Sequence, residues 1–350
     1  MMDASAGGLL VTELEEARFA EWDRFVETCA EATFFHRAGW KRVIERSFGH
    51  RTYFLCAERD GAIEGVLPLV HIKHPIFGNS LSSAAFCVYG GPAAATPAAA
   101  RALDAAARAL ADRLDVGHLE YRHQEPRDYD GMVAKSELYV TFRKPIDADV
   151  EKNLLAIPRK QRAMVRKGIK LGLAGELDAD VTRLHRVYAE SVRNLGTPVF
   201  SRRYFAELQR EFGPDCEVLA IVKDGQPVSA VMSFFFRDEV LPYYGGGTGA
   251  AREFAANDFM YWEVMRRAAE RGCRIFDFGR SKVGTGAFDF KKFWGFTPQA
   301  LHYYYLLRRG DKPPELNPLN PKLRIFIELW KRLPLPVANL LGPRIVRNLG

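Results

Sequence analysis

The sequence holds 350 residues, 47% apolar and 27% charged, with a net charge of +7. That length supports two ordinary domains with a sizeable core, and that composition excludes a disordered chain. The mild basicity favours anionic partners such as phosphates, tRNA or a membrane surface without choosing among them.

The N-terminal stretch "MMDASAGGLLVTELEEARFAEWDRF" has no basic n-region and only a short apolar run before its acids, so it does not read as a signal peptide. No stretch reaches the ~18 apolar residues of a membrane span, and the expected location is the cytoplasm. The five cysteines, Cys29, Cys56, Cys87, Cys216 and Cys273, are odd in number, far apart and without a C-x-x-C pair. They suggest buried thiols in a reducing compartment, not a zinc ribbon or a disulfide framework.

"AERDGAIEGVLPLV" (57–70) reads as strand, Asp-Gly turn, strand. "HIKH" (71–74) could offer two imidazoles to a metal, but no third ligand stands at suitable spacing, and a loop with two solvated histidines is expected. "VYGGP" (88–92), a helix over 97–115 and a strand over 117–122 follow. A Pro and a charge shift in "FRKPIDADVEKN" (142–153) mark a domain boundary.

The same order then recurs. "AIVKDGQPVSAVMSF" (220–234) is a second Asp-Gly hairpin, "YYGGGTG" (243–249) follows it, and a helix over 257–272 leads to a strand over 273–279. Tyr89 to Tyr244 and Gly117 to Gly272 are both 155 positions apart, whereas the Asp-Gly turns are 164 apart. The reading is a duplication with nine extra residues near "HIKHPIFGNS" in the first copy. Each copy predicts a mixed sheet: hairpins give antiparallel strands, and the strand–helix–strand step gives a parallel pair.

Three segments carry candidate chemistry. "IPRKQRAMVRKGIKLGL" (157–173) opens on Pro158, suited to a first helical turn, and spaces Arg162, Arg166 and Lys170 four apart. With Arg159, Lys160 and Lys167 this makes six cations with no acid between them; a diphosphate or an RNA backbone would satisfy them. The plain alternative is a solvated face. "YYGGGTGAA" contains G-x-G-x-x-A but lacks the acidic residue a dinucleotide fold places about 20 residues on. A strand end that splays into a cleft, with glycines admitting a ligand, is the better expectation.

The third segment is "FDFGRSKVGTGAFDFKKFWGF" (276–296). Its "DFG" has no accompanying kinase signatures. Alternation puts Ile275 and Asp277 on one face and Phe276 and Phe278 on the other. Lys291, set among aromatics, is either a cation–π strut or a partly desolvated catalytic cation.

The duplicated halves, the basic helix, "VYAESVRNLGTPVFSRRYFAEL" (187–208) and "GAFDFKKFWGF" resemble the FemAB family. More narrowly, "YFLCAERDGAIEGVLPLV", the segment 276–298 and the tail "LWKRLPLPVANLLGP" resemble its exosortase/PEP-CTERM-associated branch, which is linked to exopolysaccharide gene clusters. The resemblance implies an α/β (α+β) protein of two tandem GNAT-like domains, each a mixed central sheet flanked by helices, over 1–145 and 146–310. It also implies N-acyl or aminoacyl transfer onto an amine of a peptidoglycan-type or polysaccharide precursor.

By that likeness Lys291, beside Phe290, would hold the acyl carbonyl and stabilise its oxyanion. Asp277 or Asp289 could accept the proton, or each could be a structural acid. Tyr244, Arg280 and Ser281 are expected along the substrate. Phosphate cations would fall at Arg162 and Arg166, or at Arg193, Arg202 and Arg203. No bound cofactor or metal is expected; the donor is aminoacyl-tRNA or acyl-CoA. The GNAT pyrophosphate motif is broken, since Arg252 is followed by Glu253, Phe254 and Ala255 with no glycine in place. A non-catalytic scaffold of an envelope-assembly complex is the alternative.

Residues 311–350 read as a Pro-rich linker and a basic amphipathic tail bearing Ile325, Phe326, Leu329, Trp330 and Leu333. Such a helix suits either peripheral contact with the inner membrane or packing on the domain surface.

Overall fold

The computed structural model describes residues 8–75, 77–310, 312–313 and 321–350. They fall into two compact units. The first takes the chain up to Leu138, the stretch from Ala300 and Asn348–Gly350; the second takes Tyr139–Gln299 and the C-terminal helices.

In the first unit the expected hairpin joins Arg51–Arg59 to Ala62–His74. Asp60 and Gly61 both hold positive φ, 51° and 80°, as a two-residue hairpin turn requires. The sheet runs Leu10–Glu13, Arg51–Arg59, Ala62–His74, Gly78–Ser83, His118–His123, His302–Leu307, Val133–Lys135, with Ala93–Ala94 paired off this path. Gly78–Ser83 and His118–His123 are parallel. Their crossover contains the helix Pro97–Arg113, capped by Thr96 and opened by Pro97. Its Ala99, Leu103, Ala107 and Leu110 are buried in one cluster with Leu55, Leu67, Leu119 and Tyr121.

His71 and His74 lie in the strand and not in the loop that the sequence suggested. His71 Nε2 is 2.7 Å from Asn79 Oδ1 on the adjacent strand. Among the described residues no three His, Cys, Asp or Glu side chains are grouped to hold a metal. The five cysteines are buried and form no disulfide.

At the parallel pair of this unit a charged cluster is sealed in. Arg122 Nε and Nη2 donate to the Glu120 carboxylate at 3.0 Å, and Ser82 and Tyr305 donate to it at 3.0 and 3.1 Å. Burial pushes the Glu120 carboxyl up, but the Arg122 charge and these donors outweigh it and hold the group below the usual range.

The second unit repeats the plan. Cys216–Lys223 and Gln226–Phe236 form the hairpin, with Asp224 and Gly225 again at positive φ. The sheet runs Ser281–Lys282, Tyr139–Pro145, Ile275–Asp277, Glu239–Gly247, Gln226–Phe236, Cys216–Lys223, Ala174–Asp178; Pro298–Ala300 also pairs with Tyr139–Pro145. The crossover helix Ala256–Glu270 buries Phe259, Met260, Met265 and Ala268. Helices Val150–Ala156 and Arg159–Lys170 pack on it. Most of the segment read as a Pro-rich linker, residues 311 and 314–320, lies outside the described residues; the tail is helical over Pro321–Lys331 and Leu335–Val346.

Two strands leave the half in which a cut at 145/146 places them. Tyr139–Pro145 pairs with Ile275–Asp277, and His302–Leu307 pairs with His118–His123. Sequence periodicity shows that a strand exists but not which neighbour it bonds.

Two outcomes are expected. A fragment ending at Leu138 lacks the strand bonded to His118–His123, so that strand has an unpaired buried edge; the fragment aggregates in a light-scattering assay, and co-expressing residues 300–310 recovers soluble material. Replacing Arg122 by Met leaves the Glu120 carboxylate buried without its counter-charge. Urea denaturation then shows a loss of about 3–5 kcal/mol, and the Glu120→Gln/Arg122→Met double variant recovers part of it.

Candidate active site

The site is built where two parallel strands part. Glu239–Gly247 and Ile275–Asp277 share only two register pairs, Glu239 with Ile275 and Val240 with Phe276. Beyond Val240 the longer strand stays bonded to Gln226–Phe236 on its other edge. Its register shifts there: Tyr244 faces Met232 and Pro242 faces Ser233, which leaves Tyr243 unopposed as a bulge. The strand therefore turns one edge, from Leu241 onward, away from its parallel partner.

The shorter strand has its own irregularity. Phe278 N donates to Phe142 O, pairing with Tyr139–Pro145 resumes at Ser281, and Gly279 between them has φ +67°. Lys291 closes this step. It lies on the helix Gly286–Phe293, whose first turn is capped by Thr285. Trp294, fully buried, ties this helix to the crossover helix by donating from Nε1 to Asp258 Oδ1 at 2.9 Å. The Lys291 ammonium donates to Gly279 O at 2.9 Å and Arg280 O at 3.1 Å. The rings of Phe142 and Phe278 lie 5.6 and 6.0 Å from it.

Lys291 is 9% exposed, and among the described residues no carboxylate comes within ion-pairing distance of it. Burial pulls its ammonium down to about 7; the Asp277 charge raises it and Arg280 lowers it further. The residue is thus a strut and also a cation poised near neutrality. An ammonium has three donors and two are engaged here.

Asp277 is fully buried and held from three sides. Its Oδ1 accepts from Thr141 Oγ1 and from Gly279 N, and Oδ2 lies 3.5 Å from Arg143 Nε. Arg143 also pairs with Glu239. The geometry gives Asp277 a structural task, with Arg143 as an ion-pair partner. Asp289 is exposed in the first turn of the helix, where an acid suits the helix dipole; it does not share the buried side of Lys291. Phe290 is half-buried among Tyr261, Phe278 and Trp294. The Arg280 guanidinium lies over the Tyr139 ring at 4.6 Å. Ser281 Oγ is buried with no hydrogen-bond partner.

The triple glycine has a different cause from the one expected. A Cβ on Gly246 would lie 2.5 Å from Ser191, and one on Gly247 would lie 2.5 Å from Ala251 Cβ and 2.6 Å from Asn257 Oδ1. The space that the glycines vacate is filled by helices, not left for a ligand. Tyr244 is buried too: its hydroxyl is 2.8 Å from that of Tyr204, within a cluster of Tyr188, Phe200 and Phe205.

The loop after this strand has few amides to offer. Thr248 N donates to Val228 O, and Ala251, Glu253 and Ala255 N donate to Thr248, Ala250 and Arg252 O. Gly249 N donates to Glu190 Oε1 at 2.8 Å. A carboxylate thus stands where an anion-binding loop would present its N–H groups.

Of the other predicted cations, Arg193 donates to Lys331 O, Arg202 to Thr182 Oγ1 and Arg162 to Leu155 O; Arg166 and Arg203 are exposed. In the tail, Trp330 is buried and lies 5.4 Å from Phe326, while Ile325 and Leu329 stay exposed. Its helix packs on Thr182–Leu195. No described helix is long and apolar enough to cross a membrane.

Sequence reasoning missed Thr141, Arg143 and Glu190. Arg143 and Thr141 sit on the displaced strand, which no local signal assigns to this sheet. Glu190 lies in the quoted "VYAESVRNLG", but only the fold sets it beside Gly249.

Comparison with known proteins fits this architecture. Residues 157–292 match the family model of the acetyltransferase (GNAT) domain. No curated protein is matched by the sequence. Among solved structures, FemX aligns with a TM-score of 0.67 at 16% identity, covering 85% of this chain and 97% of its own. The C-terminal (DUF2156) domain of a putative lysylphosphatidylglycerol synthetase from Agrobacterium fabrum aligns at 0.55 and 12% identity, covering 83% and 92%. A tandem GNAT protein from the clavulanic acid biosynthesis pathway aligns at 0.54 and 14% identity, covering 87% and 100%. At these identities the likeness is one of fold: the chain is built as two tandem GNAT-like domains, the second of which carries the acetyltransferase-type match.

Proposed function

We propose that the chain is an N-acyltransferase of FemAB type, with its chemistry in the second unit. It joins an acyl or aminoacyl group to an amine on a cell-envelope or exopolysaccharide precursor. The observation that carries this reading is the parting of Glu239–Gly247 from Ile275–Asp277 next to the step pinned by Lys291. An unpaired strand edge takes up an extended ligand by backbone hydrogen bonds. Beside it, the third N–H of the Lys291 ammonium is the donor for an acyl oxygen.

In the reaction the amine attacks the carbonyl carbon of an activated ester. A C–N bond forms, the C–O bond to the donor breaks, and the proton lost by the amine matches the one gained by the departing hydroxyl. The protein's share is alignment and stabilisation of the oxyanion. A desolvated ammonium does the second well, because the developing negative charge restores the solvation that burial removed.

The loop over 248–255 favours a donor that makes no use of a diphosphate cradle there. The amides of Thr248, Gly249, Ala251, Glu253 and Ala255 are engaged, and the Glu190 carboxylate repels phosphate. An aminoacyl ester such as aminoacyl-tRNA fits this better than acyl-CoA. A scaffold without turnover is the second reading, favoured by the two backbone carbonyls that already hold Lys291.

Two experiments decide between these. Lys291→Met, checked for folding by circular dichroism, is expected to lower transfer about 100-fold or more. It should also remove an amide-linked group from the mass spectrum of the envelope polysaccharide of cells relying on it. The charged ammonium exists below about pH 7, so wild-type turnover on a non-titrating acceptor falls as pH rises through that value. An unchanged polysaccharide with folded Lys291→Met supports the scaffold. In calorimetry, acetyl-CoA is expected to give no binding heat; saturable binding moves the reading to an acyl-CoA enzyme.

A further inference from the structure

The helix Arg159–Lys170 packs through Val165 and Gly168, both buried. Arg159, Lys160, Arg166, Lys167 and Lys170 are all exposed on the opposite side. At 100° per residue these five fall within about one third of the helix circumference, with Ala163 among them. Among the described residues none of the five side chains has a hydrogen bond or an ion pair, whereas Arg143, Arg183, Arg210, Arg266, Arg267 and Arg271 of the same unit each pair with a carboxylate. A stripe of like charge with no partner is self-repelling, and a polyanion relieves it.

The surroundings favour one kind of polyanion. At the start of the helix Leu155 is 57% exposed; Pro158 packs against Gly295, two residues beyond Phe293, itself 58% exposed. At the other end Ile169 is 50% exposed, and Leu171 is exposed beside it. Large apolar side chains thus flank the cations at both ends. An RNA backbone has no use for exposed leucine and isoleucine, whereas a bilayer takes cations at its headgroups and apolar side chains just below them.

We propose that the second unit docks on an anionic lipid bilayer through the helix Arg159–Lys170, with Leu155, Ile169, Leu171 and Phe293 entering the headgroup boundary. The cations of this surface lie on a different helix from Lys291, and the docking stands or falls independently of acyl transfer.

The test is co-sedimentation of the full chain with vesicles of phosphatidylcholine, with and without phosphatidylglycerol. Binding is expected only with phosphatidylglycerol, and it should weaken as salt rises. The Arg159→Glu/Lys167→Glu/Lys170→Glu variant, shown to be folded by circular dichroism and thermal melting, should bind at least about tenfold more weakly. Equal binding by this variant overturns the proposal. So does a wild-type chain that ignores phosphatidylglycerol vesicles, whether or not it shifts bulk tRNA in a gel.

Discussion

The second unit is organised around a buried ammonium that no carboxylate among the described residues ion-pairs. Removing a cation from water costs several kcal/mol unless polar groups replace the solvent. At Lys291 the replacements are two backbone carbonyls and two aromatic faces. Each is available only because the chain breaks step at Gly279. Had the strand Ile275–Asp277 run on regularly, its carbonyls would be engaged by its neighbours. The irregular backbone, the capped helix that delivers the lysine and the tryptophan that anchors this helix are therefore mutually dependent.

The two units resolve the same geometry in opposite ways. Each places a parallel strand pair at the centre of its sheet. In the first, the pair holds for three registered positions, and the adjacent polar space is closed by Glu120, Arg122, Ser82 and Tyr305. Opposite charges neutralise one another there. In the second, the pair holds for two positions, and the buried Lys291 cation has no ion-pair partner among the described residues. The two parallel pairs thus differ in whether the buried charge beside them is matched by an opposite one.

Much of this plan was legible in the sequence. Asp-Gly turns between alternating apolar runs located both hairpins, because few other residues accept two consecutive positive φ values. Pro97 and the alanine-rich run behind it located the first crossover helix. The unusual setting of Lys291 showed in its aromatic neighbours. What was not legible depended on distant partners. The glycines of "YYGGGTG" suggested room for a ligand, yet Ser191, Ala251 and Asn257 from other elements fill that room. Whether Asp277 takes a proton or serves as a structural acid stayed open until a strand far earlier in the chain supplied Thr141 and Arg143. Tyr89 and Tyr244 matched in spacing, but only Tyr244 lies in a strand.

The placement of His302–Leu307 beside His118–His123 has a consequence for synthesis on the ribosome. The first sheet gains an interior strand only after most of the chain has been made. At about 5–20 residues per second, the nascent first half waits roughly 10–30 seconds with an open hydrogen-bonding edge. Emerging protein of this design needs shielding by a chaperone during that interval, and rare codons that lengthen it should lower the yield of native protein without altering a single amino acid.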